Sequence, residues 1–398
     1  MEPSRTTFVA LVVVAVFATG CVLAARTALG ATAGIRIGVL PAGPLDAITD
    51  VPGVRVGQVT KNEGSGALRP GVGPVRTGVT VVVPNDNTWN ERPAAASYVL
   101  NGNGEMTGTH WVDEAGFIEV PIALTNTLNV GRVDDGVIDW MIKHNPQIGI
   151  EDDVPLPVVA ECDDQGLNDI QGRHVLPADV VRALDDAKTG PFARGSVGAG
   201  TGMHGFGFKG GIGTASRVID KSMGGYTVGV LTNVNDGSRS ELRIDGVPVG
   251  RDLQHELLPV YPHRAAMGRG GPTGGSIIVV VATNAPLDYR QLRELDKRAV
   301  LGLGRTGWES HISSGDLFIA FSSGRVYPRD TAKPTSTFVV SDEDTMDALF
   351  AATAEATEAA VADALFSATT TVGANGVTLY AIPLDKVRAL LQAAGAAK

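Results

Sequence analysis

A hydroxyl stands at the junction of two unlike stretches of this chain. The segment from Pro262 to Gly275 is rich in glycine and polar residues, and Ser276 is followed at once by Ile277-Ile278-Val279-Val280-Val281-Ala282-Thr283. A β-branched apolar run entered from a glycine loop places the serine at the first position of a buried strand. Cleavage of the Gly275–Ser276 bond would give that one residue both a hydroxyl and a free α-amine. An α-amine titrates near pH ~8, so it suits the acceptance of the hydroxyl proton and joins nucleophile and base in a single residue. Gly275 fits the same chemistry, because attack on its carbonyl needs a close approach that a β-carbon would hinder. Taken locally, a Gly-Gly-Ser turn entering an ordinary core strand explains the same residues. The rest of the chain decides between the two.

Co-linear motifs run from Pro44 to Leu391. They include Asp46-Ala47-Ile48-Thr49-Asp50-Val51-Pro52-Gly53-Val54-Arg55-Val56-Gly57, Gly73 to Pro84, Asn101-Gly102-Asn103-Gly104-Glu105-Met106-Thr107-Gly108 and Leu124-Thr125-Asn126-Thr127. Leu167-Asn168-Asp169-Ile170, the glycine-rich Gly195 to Arg217, Gly275 to Thr283 and Ser314-Gly315-Asp316 complete the series. In these segments and their order the chain resembles the L-aminopeptidase/D-esterase family, which includes the β-peptidyl aminopeptidases. The resemblance implies an α+β fold, a four-layer α-β-β-α sandwich. It further implies self-cleavage at Gly275–Ser276 into an α chain ending at residue 275 and a β chain of 276–398, and assembly as a homotetramer. The substrates it implies are small peptides, amino-acid amides or esters, or β-peptides, attacked at their N-terminus by Ser276 with no cofactor.

The same resemblance gives roles to four further residues. Ser314 and Asp316 match the hydroxyl and acid downstream of the nucleophile, where a second hydroxyl relays a proton and a carboxylate stabilises the ammonium. Without the family they read as a turn entering the strand that starts at Leu317. Asn235 falls where an asparagine amide donates to the oxyanion, and Asn233 offers the same amide two residues earlier. Glu161 falls where an acid anchors the substrate's free amine. Relatives often carry a tyrosine two positions after that glutamate, whereas this chain has Cys162 and Asp163. Two other readings stay open: an acyltransferase of related architecture that passes the acyl group to an amine, and a membrane-tethered binding protein without activity.

Composition narrows the field. The 398 residues are 43% hydrophobic, enough for a large core, and carry a net charge of −10 without a basic run that would track phosphates. Nucleic acid is therefore not an expected partner. The formal G-x-G-x-x-G from Gly200 to Gly205 follows no apolar strand and precedes no Gly-Lys-Ser/Thr, which argues against a nucleotide site. The seven histidines show no H-E-x-x-H, and a metal site is not expected; His311 remains a candidate base for a triad, although Ser276 lacks the G-x-S-x-G elbow. Arg5 precedes an apolar stretch from Phe8 to Ala25, so residues 1–33 read as an export signal. Three routes fit it: ordinary cleavage near Ala31-Thr32-Ala33, lipidation at Cys21 after Ala18-Thr19-Gly20, or retention as a membrane anchor.

Residues 34–43 read as a linker and 44–398 as one catalytic domain. Hydrophobic pattern predicts strands at 80–84, 117–123, 156–160, 226–232, 277–283 and 317–322. It predicts helices at 136–143, 178–187, 288–303, 346–367 and 385–394. That alternation fits a layered α/β or α+β architecture without choosing between them.

Overall fold

The computed structural model describes residues 34–262, 275–330, 340 and 342–396. Residues 1–33 with Cys21, and residues 263–274 before the candidate nucleophile, lie outside the described residues. Two sheets stand at the centre. One has four strands in the order β1 (Arg55–Glu63), β2 (Val75–Val83), β4 (Ile122–Thr125) and β5 (Val158–Glu161). The other has five, in the order β3 (Glu91–Gly102), β11 (Gly315–Pro328), β10 (Ser276–Thr283), β9 (Thr227–Asn235) and β8 (Gly211–Val218). Between them in sequence, β6 (His204–Gly205) and β7 (Phe208–Lys209) form a two-stranded ribbon.

Side-chain alternation sorts the layers. Ile278 and Val280 of β10, with Leu317 and Ile319 of β11, join Val79, Val81, Ile122 and Val159 of the other sheet in one apolar core. Ile277, Val279 and Val281 point the other way and pack on Leu292, Leu295, Leu349 and Ala356. Those residues belong to two helices laid across the outer face, Tyr289–Arg305 and Glu343–Ser367, named α3 and α4 below. On the far side, α1 (Val130–His144) and α2 (Pro177–Asp185) cover the four-stranded sheet through Val133, Val137, Met141 and Val180. The result is the expected α-β-β-α sandwich.

β10 is buried along its whole length, which is why its sequence is a continuous apolar run rather than an alternating one. Asp288 caps α3 by accepting from the Gln291 N–H at 2.9 Å, and Asp342 caps α4 by accepting from Thr345 N–H at 2.9 Å. The buried middle of α4 is mostly alanine and threonine, so it lies close on β8. At Gly213 of β8 an added β-carbon would stand 1.9 Å from the Ala360 carbonyl oxygen.

Several expectations are corrected. Strands β1, β3 and β8 and a helix at Thr109–Ala115 fall outside the predicted elements; Pro93 and three alanines dilute the pattern of β3, and Gly211 and Gly213 that of β8. The strand expected at 117–123 begins only at Ile122, after Pro121, and Phe117 makes a lone bridge to Ala94. The strand expected at 156–160 starts at Val158, after Pro157. Residues 34–43, expected as a linker, form no strand yet are pinned down. Ile35 and Ile37 are buried, the N–H groups of Val39 and Leu40 both donate to the Glu355 carboxylate at 2.9 Å, and Arg217 donates to the Ile37 carbonyl. Among the described residues no helix is long and apolar enough to cross a membrane.

The contact between β8 and α4 yields a direct test. Gly213→Ala should lower unfolding stability by about 1–3 kcal/mol, since neither the strand nor the helix backbone can yield cheaply. A shift of the urea midpoint at unchanged slope would read it.

Candidate active site

Ser276 opens β10 in the middle of the five-stranded sheet. On one side it pairs with Asn235, the last residue of antiparallel β9; on the other with Gly315, the first residue of parallel β11. Its side chain shares the inner face with Ile278 and is 4% exposed. The Gly275 carbonyl accepts a hydrogen bond from the Gly315 N–H at 3.0 Å. A β-carbon on Gly275 would come within 2.1 Å of the Asn235 carbonyl oxygen and 2.4 Å of Asp236 Cβ, so only glycine fits there. The apolar run that makes β10 central thus also brings Ser276, Asn235 and the Ser314–Asp316 segment to one end of the sheet.

The acid and the second hydroxyl form a unit. Ser314 Oγ donates to Asp316 Oδ1 at 2.6 Å. Asn101, at the end of β3, holds the other carboxylate oxygen at 3.3 Å and ties down the carbonyls of Ser310 and His311 at 2.8 and 3.0 Å. Asn103 donates to the Ser313 carbonyl at 2.6 Å. Burial pushes the Asp316 carboxyl above its usual range, with the bond from Ser314 opposing the shift. The Asn-Gly-Asn-Gly motif therefore fastens the loop that carries Ser314, a role its residue types alone did not reveal.

Asn235 is held at both ends of its amide. Its Oδ1 accepts from the His204 N–H at 3.0 Å, and its Nδ2 donates to the Asp163 carbonyl at 2.8 Å, leaving one N–H. Asn233 sits one inward-facing position deeper, opposite Ile278, and neither of its buried amide atoms has a partner among the described residues. Beneath Asn235 the glycine-rich stretch forms a tight turn over Gly198–Gly202 that leads into the β6–β7 ribbon. Lys209 of that ribbon is fully buried, and its Nζ donates to the carbonyls of Gly200, Met203 and Gly210 at 2.9, 2.6 and 2.9 Å. Burial lowers this amine to about 7, with Asp164 opposing. Burial likewise raises Asp164 to about 7, against hydrogen bonds from Thr77, Asn168 and Asn126.

Glu161 ends β5, and residues 105–107 add along that strand's edge. One Glu161 oxygen accepts from the Glu105 N–H at 3.0 Å and the other from the Thr127 hydroxyl. Burial raises its carboxyl, with those two bonds opposing. Cys162 is wholly buried, its sulfur 3.6 Å from the Asn233 carbonyl oxygen. Burial pushes its thiol well up, Glu161 adds to this, and a bond with Ser276 opposes it. The thiol is thus a neutral neighbour of the serine and a poor nucleophile. Asp163 is exposed and caps the Gln165 N–H. The His311 ring faces Glu241 at 3.5 Å, and with Glu309 these groups bring donor atoms within 4.8 Å of one another on the rim. Glu241 lies far from His311 in the chain, so residue spacing does not reveal that cluster.

Two cavities differ in relevance. One of about 520 Å³ lies between the first turns of α3 and α4, beyond the far end of β10, roughly 25 Å of strand from Ser276. A smaller one, about 210 Å³, is lined by Tyr98, Gly102, Gly104, Met106 and Leu317, alongside the Gly315 neighbour of Ser276. The smaller cavity is the one adjoining the chemistry.

Residues 46–379 match the model of peptidase family S58. The chain belongs to that family. It is 43% identical over 359 residues to the β-peptidyl aminopeptidase BapA of Sphingosinicella xenopeptidilytica, covering 88% of each chain. A β-aminopeptidase from Burkholderia sp. superposes with TM-score 0.81 at 41% identity, over 91% of this chain and 98% of that one. The L-aminopeptidase D-Ala-esterase/amidase of Ochrobactrum anthropi gives 0.81 at 36% identity, over 92% and 98%. That structure is described as a variant of the Ntn-hydrolase fold, and this chain shares the fold. Membership supports aminopeptidase activity. Within this S58 peptidase, Lys209 and Asn101 are the supporting residues that motif reading missed. Lys209→Met would take a charged donor from three buried carbonyls, two of which keep only a backbone N–H, and loosen the floor under Asn235. It should cost about 3 kcal/mol or more of stability and reduce turnover, read by thermal unfolding alongside kcat on an amino-acid amide.

Proposed function

We propose that this chain is an exported, self-processing serine aminopeptidase that hydrolyses N-terminal amide or ester bonds of small peptides, amino-acid derivatives or β-peptides through an acyl-enzyme on Ser276. The carrying observation is the Gly275 carbonyl, held by the Gly315 N–H immediately before a buried serine. In the first reaction the Ser276 hydroxyl attacks that carbonyl, the oxyanion is met by the Gly315 N–H, and the acyl group passes from nitrogen to oxygen. That shift breaks the C–N bond and frees the Ser276 amine; water then hydrolyses the ester, releasing the Gly275 carboxylate and restoring the Ser276 hydroxyl. The two pieces stay together because β10 and β11 of the second piece lie between β3 and β9 of the first.

In turnover the new amine accepts the hydroxyl proton as Ser276 attacks the substrate. The remaining Asn235 N–H stabilises the oxyanion, a contribution of roughly 3–4 kcal/mol in such roles. Ser314 relays the proton and Asp316 stabilises the ammonium that forms. Glu161, near the cavity beside Gly104, attracts the substrate's own ammonium. The substrate class follows the names of the relatives, a β-peptidyl aminopeptidase and an L-aminopeptidase D-Ala-esterase/amidase. Export, a membrane tether through the N-terminus and a homotetrameric assembly belong to the same reading.

Intact-mass analysis provides the test. The wild type should give two fragments, the second beginning at Ser276, and Ser276→Ala a single chain. Gly275→Ala, whose methyl would press on the Asn235 carbonyl, should process at least tenfold more slowly. Product analysis with an added amine acceptor should return mainly the free acid; a dominant amide product would instead make the chain an acyltransferase.

A further inference from the structure

One buried acid beside Ser276 has no part in the mechanism above. Asp236 follows Asn235 at the end of β9 and is 3% exposed, and its Oδ2 has no hydrogen-bond partner among the described residues. Its backbone is fixed, since its carbonyl accepts from the Phe206 N–H at 2.9 Å. Gly237 follows at φ 99°, where a β-carbon would meet the Phe206 ring at 2.6 Å. The Asp236 side chain lies directly against Gly275: a β-carbon there would stand 2.7 Å from Asp236 Cγ. An acid oxygen with no partner among the described residues is thus built into the wall of the Gly275–Ser276 peptide.

The surrounding charged groups are already committed. From β11, Asp316 is bound by Ser314 and Asn101. From β6 comes His204, whose imidazole burial favours as the neutral form, with Asp236 opposing. From β7, Lys209 is spent on three carbonyls. Arg239 donates to the carbonyls of Phe206 and Gly207 and stacks on the Phe208 ring. Cys162, behind the serine, is a neutral thiol. In the uncut chain the Ser276 nitrogen is an uncharged amide. Hydrolysis adds water across the bond: hydroxide stays on Gly275, which becomes a carboxylate repelled by Asp236, and the nitrogen leaves as an amine that takes up a proton. A cation arises beside Asp236 only after the cut.

We propose that Asp236 joins Asp316 as a second counter-ion of the Ser276 α-ammonium in the processed protein, a positioning residue that aims the amine at its own hydroxyl and makes it more basic. The inference rests on processing at Gly275–Ser276. The free amine is the active base, so activity rises with pH as the ammonium loses its proton. A neighbouring carboxylate stabilises the ammonium and moves that rise to higher pH. Removing the charge must move it to lower pH.

The experiment compares wild type with Asp236→Asn by fragment mass and by the pH dependence of kcat and KM. A parallel measurement follows the rate of acylation of the Ser276 amine by an amine-reactive reagent against pH, read on the second fragment. The expected result is that both proteins are cut, that the acid limb of kcat and the amine titration move down by about one pH unit in Asp236→Asn, and that KM is unchanged. Superimposable limbs in two cut proteins would overturn the inference and leave the self-processing reading intact. An uncut wild type would overturn both. An Asp236→Asn chain that folds but stays whole would overturn the counter-ion role by placing Asp236 before the cut. Should Asn not fold, Asp236→Ser carries the same expectation, and Asp236→Glu, which keeps the charge, should hold its limb within a few tenths of wild type.

Discussion

The arrangement depends on one strand being hydrogen-bonded on both sides and buried on both faces. β10 is flanked by β9 and β11 and closed in by the second sheet on one face and two helices on the other. Its first residue has almost no freedom to move relative to its neighbours, and that residue is Ser276. The antiparallel neighbour contributes Asn235 and the parallel neighbour contributes Gly315, so the sheet's own register sets the geometry around the hydroxyl. Positioning on strand ends is stiffer than positioning on loops, which suits chemistry that depends on sub-ångström alignment.

Around that strand the chain has concentrated close backbone approaches and buried polar groups. Gly275 touches Asn235 and Asp236, Gly315 touches Asn103, and Gly104 touches Glu161. The contacts of Gly275 and Gly315 leave no room for a side chain and that of Gly104 leaves little, so the site is assembled largely from main chain. The polar side chains that remain are either fully engaged, as Lys209 is with three carbonyls, or keep atoms without a partner among the described residues, as do the Asn233 amide and one Asp236 oxygen. Unpaired buried polar atoms oppose folding, so those of Asn233 and Asp236 cost local stability beside Ser276.

The sequence revealed the parts of this design that depend on local pattern. β10 announced itself through seven successive residues without a charge, and α3 and α4 through their periodicity and caps. The four-layer arrangement came from family motifs rather than from periodicity. β8 went unread because Gly213, which lets α4 approach, and Gly211, which packs on Gly195 and Gly200, also erase the strand's apolar signature. β3 was diluted by Pro93 and three alanines. In the site, Ser276, Asn235, Ser314 and Asp316 do converge on one end of one sheet. Lys209, Asn101 and the pairing of Glu241 with His311 were invisible, since each acts through partners brought together only by the tertiary fold.

The strand order of the five-stranded sheet has a further consequence for how such a molecule lives. The segments on either side of Gly275 alternate across the sheet, β3 and β9 from before it enclosing β11 and β10 from after it. While the bond is intact, the chain assembles this weave at a rate that ignores concentration. Were it severed, recovering the same sheet after unfolding would require two molecules to meet, each exposing the apolar edges of half a core. Maturation would therefore make native structure easy to keep and hard to regain, so that lifetime is governed by the barrier to unfolding rather than by the equilibrium between folded and unfolded chains.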